Sequence, residues 1–249
     1  MRGSWSLLAA AAAAAAVAAA PFTAATKTLT PTQMEGPFFL DLRTLRRDVT
    51  NGRPGVPLYL QLRVEGGCKP GGYGCKRLPD ALVDVWHTDS RGIYSGFSDR
   101  GVNATGRDWM RGTQVTRKDG MITFRTIVPG WYPGRLAHLH VKVRLAVPPA
   151  NRGHVGCLPY RPPMGFTTQL YLPDALVRSI YAVPPYNSVD TYVSDIDQDV
   201  VLEGDAAEYA ALTMAVWPAT AAWCTANGFT SGSPWGMGHV ATYTLRLQS

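Results

Sequence analysis

The sequence predicts a mostly β fold, a β-sandwich with long loops and little helix. Three observations carry that expectation. Six separate runs alternate apolar and polar residues with period two, as half-buried strands do. Clusters of Gly, Pro and Asn separate the runs at short spacing, and Gly and Pro together make 44 of the 249 residues. That content argues for many turns and against a helical bundle. Hydrophobic residues make 46% of the chain and charged residues only 17%, so the chain can bury a core and is not a disordered one.

In chain order, strands are expected over residues 56–64 (VPLYLQLRV), 81–86 (ALVDVW), 121–128 (MITFRTIV) and 138–145 (HLHVKVRL). Two more are expected over residues 166–172 and 239–247 (HVATYTLRL). Helix is expected in two places. One is a turn or two after Pro173; the other is residues 205–216 (DAAEYAALTMAV), which are rich in good helix formers. The sequence has no internal repeats and no charge blocks.

The N-terminus reads as a targeting segment rather than part of the fold. Arg2 supplies a positive start and residues 7–20 are an apolar stretch of 14. That is short of the roughly 20 residues a spanning helix needs and suits a signal-peptide core of about 7 to 15. Thr23, Ala24 and Ala25 form a cleavage site before Thr26. The organisation expected is therefore a signal peptide over 1–25 and a single domain over 26–249, secreted and with no membrane association after cleavage. An alanine tract or an uncleaved anchor is the competing reading of the same stretch.

Four cysteines, Cys68, Cys75, Cys157 and Cys224, suit that compartment and suggest two disulfides. Cys68 and Cys75 flank a glycine-rich loop that can close on itself, with zinc ligation as the rival. The formal net charge is +6, but no basic run exceeds two residues. A nucleic-acid partner, which needs a basic stripe, is therefore not expected. Asn103-Ala104-Thr105 is a glycosylation sequon that has meaning in a eukaryotic host.

Only five histidines are present, His87, His138, His140, His154 and His239. His138 and His140 lie two apart in a strand-like run, so their side chains point to one face and can bind one metal together. Taken alone, such a pair is equally a cupin ligand set, a zinc site or two half-buried histidines. Its surroundings are distinctive. PGWYPGR places Tyr132 and Arg135 just upstream, and VDVWHTDSRGIYSGF brings Tyr94 into a turn after a buried strand. A cupin would offer a Glu soon after its pair, and here Val141, Lys142 and Val143 follow. His87, Trp86 and Trp131 read as packing or pocket-wall residues.

These blocks resemble the intradiol ring-cleavage dioxygenases, the family of protocatechuate and catechol dioxygenases. The resemblance is carried by TPTQMEGPFF (30–39), LPDALVDVWHTDSRGIYSGF (78–97), RGTQVTRKDGMITFRTIVPGWYPGRLAHLHVKV (111–143), TTQLYLPD (167–174) and GHVATYTLRL near the end. It implies a non-haem Fe(III) centre ligated by Tyr94, Tyr132, His138 and His140. Two phenolates are hard anionic donors that favour ferric iron, and the metal's charge keeps them ionised despite a free pKa of about 10. The resemblance further implies a small aromatic diol and O2 as partners, with displacement of Tyr132 as the diol binds. Cleavage between the hydroxyl-bearing carbons then gives a cis,cis-muconate. Arg135 and Gln169 match the pair beside the substrate, and Gly36 and Pro37 match a loop bordering its pocket.

Departures from the family pattern are local. Only a short stretch precedes the first block, so the helical dimerisation region of cytoplasmic members is not expected. Arg117 stands where members often carry Asp, and residues 145–165 read as a Pro-rich insertion near the pocket mouth. Two alternatives come from other classes: a secreted β-sandwich binding module without catalysis, and a cupin-like metalloenzyme.

Overall fold

Alternating runs become strands of two packed sheets. The structure is a computed structural model that describes residues 28–145, 165–188, 195–230 and 233–248. Its strands are β1 (Pro57–Cys68), β2 (Lys76–Arg77), β3 (Ala81–Trp86), β4 (Ser98–Asp99), β5 (Val102–Asn103), β6 (Arg111–Val115), β7 (Met121–Ile127), β8 (His138–Leu145), β9 (Gly165–Tyr171), β10 (Ala215–Pro218) and β11 (His239–Gln248). Helices α1 (Asp174–Tyr181), α2 (Ala206–Leu212) and α3 (Ala221–Ala226) are short.

One sheet runs β10-β11-β1-β7, with β2 continuing the edge beside the end of β1. The other runs β6-β3-β8-β9. All these pairings are antiparallel except β1 with β11, which is parallel and sets Leu58 opposite His239. Strand alternation explains which side chains fill the space between the sheets. Leu58, Leu60, Leu62 and Val64 of β1 join Phe124 of β7, Val83 and Val85 of β3, and Leu139, Val141 and Val143 of β8 in one buried cluster. Tyr59 and Val240, one residue out of phase, instead pack with Trp223 and Cys224 in a second cluster under α3.

All six expected strands form, within a residue or a few of the expected ends. α1 follows Pro173, with Asp174 in its first turn and Arg178 in its last, and buries Val177, Ile180 and Tyr181. The helix expected over 205–216 is shorter: Asp205 caps it by accepting from Glu208 N, and it stops at Leu212. Residues 215–218 form an edge strand on β11, because pairing with an open edge outweighs the helix propensity of that stretch. β6, β10 and α3 were not foreseen from the sequence.

Cys68 and Cys75 are bridged. Cys224 is a buried free thiol, which removes it from the second bridge expected of four cysteines; Cys157 lies outside the described residues. So do His154, most of the Pro-rich insertion and the expected leader. Among the described residues no helix is long and apolar enough to cross a membrane.

Leu139 sits between two histidines on β8 and is fully buried in the inter-sheet core. Leu139→Ala is expected to cost about 2–5 kcal/mol of stability, read as a lower midpoint in chemical denaturation with an unchanged slope.

Candidate metal centre

β8 presents His138 and His140 on the face opposite Leu139, and the sheet register builds outward from them. Trp86 of β3 and Gln169 of β9 are the direct cross-strand partners of His140, while Tyr171 is the partner of His138. Trp86 stacks on the His140 ring at 4.7 Å with 10° between planes. An indole on one side and the loops above leave both imidazoles almost fully buried.

Two loops deliver the tyrosines. The loop after β3 carries Tyr94, and the segment after β7 carries Tyr132. They approach closely because both carry a glycine at the contact. A Cβ on Gly92 would lie 1.8 Å from the Trp131 carbonyl oxygen, and one on Gly130 would lie 2.4 Å from the Ser90 carbonyl oxygen. Asp89 organises the first loop. Its buried carboxylate accepts from Arg91 N and Ile93 N and pairs with Arg53, and its carbonyl accepts from Gly130 N.

Four donor atoms converge as a result. Tyr94 Oη lies 3.0 Å from His140 Nε2 and 3.5 Å from His138 Nε2. Tyr132 Oη is 3.5 Å from His138 Nε2, and the two Nε2 atoms are 3.2 Å apart. His138 Nδ1 donates to the Leu136 carbonyl at 2.6 Å, so its Nε2 presents a lone pair to the cluster. Burial first, then the Arg135 guanidinium, holds both imidazoles well below their ordinary pKa and therefore neutral. Two lone-pair nitrogens and two phenol oxygens in one dry spot suit a hard cation, and the donor set fits ferric iron. Without a metal, burial and then the neighbouring Tyr132 push the Tyr94 phenol well above its usual value; a bound cation reverses that balance. Among the described residues no group of three or more His, Cys, Asp or Glu is placed to hold a metal. The carboxylate that a cupin-like site would use is therefore missing from this cluster.

Arg135 lies beside the donors. Its Nη1 donates to Tyr132 Oη at 3.3 Å, its Nη2 donates to Gln169 Oε1 and to Tyr171 Oη at 3.3 Å, and its Nε donates to Asp199 Oδ1 at 3.1 Å. Gln169 is held in turn by donating to the Met34 carbonyl at 3.1 Å. Gly36 reaches the cluster: the position of its absent Cβ is 3.6 Å from His140 Cε1, at a φ of 72°. Pro37 sits in the turn that follows, and Phe38 beyond it stacks on Tyr94 at 4.3 Å. The eight residues singled out from the sequence thus meet in one place, with Pro37 contributing the turn.

Sequence reasoning missed Asp199, Tyr171 and Phe38. Asp199 is fully buried, accepts from Leu136 N, Val201 N and Leu202 N, and neutralises Arg135. It comes from a loop with no periodicity, 64 residues from its partner, so nothing local marks it. Tyr171 and Phe38 were within matched blocks and could have been named from strand phase and from the aromatic pair after Pro37. His87 is a satisfied core histidine: Nδ1 donates to Thr88 O at 2.7 Å, and Nε2 accepts from Thr126 Oγ1 at 2.6 Å.

Comparison with known proteins places the chain. A family model described as a dioxygenase matches residues 34–179, more than half of the chain. Catechol 1,2-dioxygenase 1 of Acinetobacter lwoffii is 32% identical over 108 residues, covering 41% of this chain and 32% of the relative. The chain thus spans about a third of the length of the curated relatives it matches. The dioxygenase domain of a dioxygenase carbohydrate-binding protein fusion from Streptomyces sp. SirexAA-E is 31% identical. That match covers 88% of this chain and 98% of the domain, with a TM-score of 0.53. The intradiol ring-cleavage dioxygenase of Tetranychus urticae shares the fold, with a TM-score of 0.65, 23% identity and coverage of 89% and 94%.

Two outcomes are expected. Gly130→Ala forces the tyrosine loops apart and should cost about 1–3 kcal/mol, with metal retention falling alongside the thermal midpoint. Burial pushes the folded-state pKa of His87 down to about 4, below the roughly 6.5 of an unfolded histidine. The unfolded chain therefore takes up the proton first, and stability should fall as pH falls from about 6.5 toward 4. His87→Gln should flatten that slope in a pH series of urea melts.

Proposed function

Because this chain belongs to the intradiol ring-cleavage dioxygenase family, we propose that it binds ferric iron and uses O2 to cleave catechol-type aromatic diols between their hydroxyl-bearing carbons. The observation that most supports this reading is the convergence of Tyr94, Tyr132, His138 and His140 within 3.0–3.5 Å. These four residues would hold the iron. Bound ferric iron supplies a Lewis acid and electron acceptor that activates a catecholate toward O2.

The chain's own residues divide the remaining work. Tyr94 is 1% exposed and locked beneath Phe38, which suits a ligand that stays. Tyr132 is half-buried, so it is the ligand free to leave and to accept a diol proton at Oη, a general-base step. Arg135 Nη1, already bonded to that oxygen, stabilises the anion at either stage. Its guanidinium cannot swing away, because Asp199, Gln169 and Tyr171 hold the other nitrogens, so the field on the substrate is preorganised. Gly36 leaves room beside His140 that any side chain would fill.

The product of such a cleavage is an unsaturated dicarboxylate of the muconate type. We also place the protein outside the cell. The apolar leader supports that assignment, as does the Cys68–Cys75 bridge, which suits an oxidising compartment.

A visible spectrum of the purified protein, before and after anaerobic addition of catechol, tests the reading. The expected result is a tyrosinate-to-iron charge-transfer band that shifts with the diol; a protein that stays colourless with ferric iron supplied would sink it. Tyr94→Phe and His138→Ala should each abolish iron retention or turnover. Arg135→Ala should keep most of the iron and lower kcat by about 100-fold or more, as removal of a preorganised donor does.

A further inference from the structure

Two buried guanidinium groups flank the donor cluster, and only one has a carboxylate. Arg135 has Asp199 at 3.1 Å. Arg111, which opens β6 and is 3% exposed, donates only to neutral acceptors. Its Nε and Nη2 reach the Ser95 carbonyl at 3.3 and 2.7 Å, its Nε also reaches Ser95 Oγ at 2.9 Å, and its Nη1 reaches the Phe38 carbonyl at 2.7 Å. Among the described residues no carboxylate comes within ion-pair distance of it. Asp108 acts on it through space, but that carboxylate is engaged by Arg46 at 3.2 Å and Asn51 at 2.9 Å.

The acceptors themselves are informative. Ser95 directly follows Tyr94, and its hydroxyl donates onward to the Trp109 carbonyl at 2.6 Å. Phe38 is the ring stacked on Tyr94, with 15° between planes, and Phe97 meets Phe38 edge-on at 5.2 Å. One planar fork therefore ties the loop carrying Tyr94 to the wall lying over its ring. We infer that Arg111 is a positioning residue for the metal centre, one that fixes the Tyr94 ring by clamping Ser95 and Phe38 together. This inference rests on the dioxygenase reading and adds a residue to it.

Physical chemistry says why an arginine stands there. Three neutral acceptors need a rigid, planar set of donors, which a lysine's point charge cannot supply. An isolated buried cation is costly unless a counter-charge sits nearby. A residue needed only for packing would be served better by an apolar side chain of similar volume.

The test uses the full-length protein and its Arg111→Lys and Arg111→Met variants, each loaded with ferric iron. Melting temperature, iron per chain, the visible tyrosinate band, kcat and KM are measured for all three. Removing the cation raises the energy of the phenolate donor, so Arg111→Met should move the band to longer wavelength with iron still bound. Its kcat should fall about 10-fold or more, the loss expected when charge-assisted hydrogen bonds are removed. Arg111→Lys keeps the charge without the fork, so its band should return toward the wild-type position while kcat stays low.

A folded Arg111→Met protein with the wild-type band and kcat would overturn the inference, as would a loss confined to melting temperature. If Arg111→Met does not fold, Arg111→Lys decides: lowered kcat at wild-type iron content supports the role, and wild-type kcat overturns it. A wild-type protein with neither tyrosinate band nor turnover would instead defeat the dioxygenase reading, before any variant is compared.

Discussion

The period of two along β8 is the constraint on which the rest of the molecule depends. Because successive side chains leave a strand on opposite faces, Leu139, Val141 and Val143 drop into the inter-sheet core while His138 and His140 face outward together. Core packing and the alignment of the two histidines are thus enforced by the same strand. A slip of one position would bury the histidines among aliphatic side chains and expose the leucine. Pairing with β3 on one side and β9 on the other resists that slip. The same pairing sets Trp86, Gln169 and Tyr171 beside the histidines.

The outward face of that sheet would be wet were it not roofed. The N-terminal segment supplies much of the cover. Gln33 N bonds to the Thr167 carbonyl, the Met34 carbonyl holds Gln169, Glu35 pairs with Lys142, and Phe38 lies on Tyr94. With water excluded, each charge near the donors needs an answer, because an unpaired buried charge costs several kcal/mol. Asp199 answers Arg135, and the two imidazoles avoid the cost by staying neutral. Asp84 is a third case: burial raises its pKa, while Arg144 at 2.6 Å and Thr113 oppose that.

Rigidity follows from this economy of partners. Arg135 uses its nitrogens on Tyr132, Gln169, Tyr171 and Asp199 together, and Asp199 also fixes the backbone of Leu136, two residues before His138. The guanidinium, Tyr132 and the histidine strand are parts of one hydrogen-bonded unit. Such a unit can present a fixed field to a bound group without reorganising. The two tyrosine loops join it through the close contact that Gly92 and Gly130 permit.

The sequence by itself determined the local terms. Alternation placed the six long strands, strand phase put His138 and His140 on one face, and the ordered motifs picked out Tyr94, Tyr132, Arg135 and Gln169. The first two signals follow from backbone geometry and span a few residues; the third rests on the resemblance of those motifs to the intradiol dioxygenases. The terms that depended on distant partners were not legible. The end of the helix expected over 205–216 gave way to an edge strand because β11 offered an unpaired edge. Cys224 remained a free thiol, buried beside Tyr59 and Trp223. Asp199 and the acceptors of Arg111 carry no pattern of their own. A buried charge is decided by what surrounds it, and only the tertiary structure decides what those surroundings are.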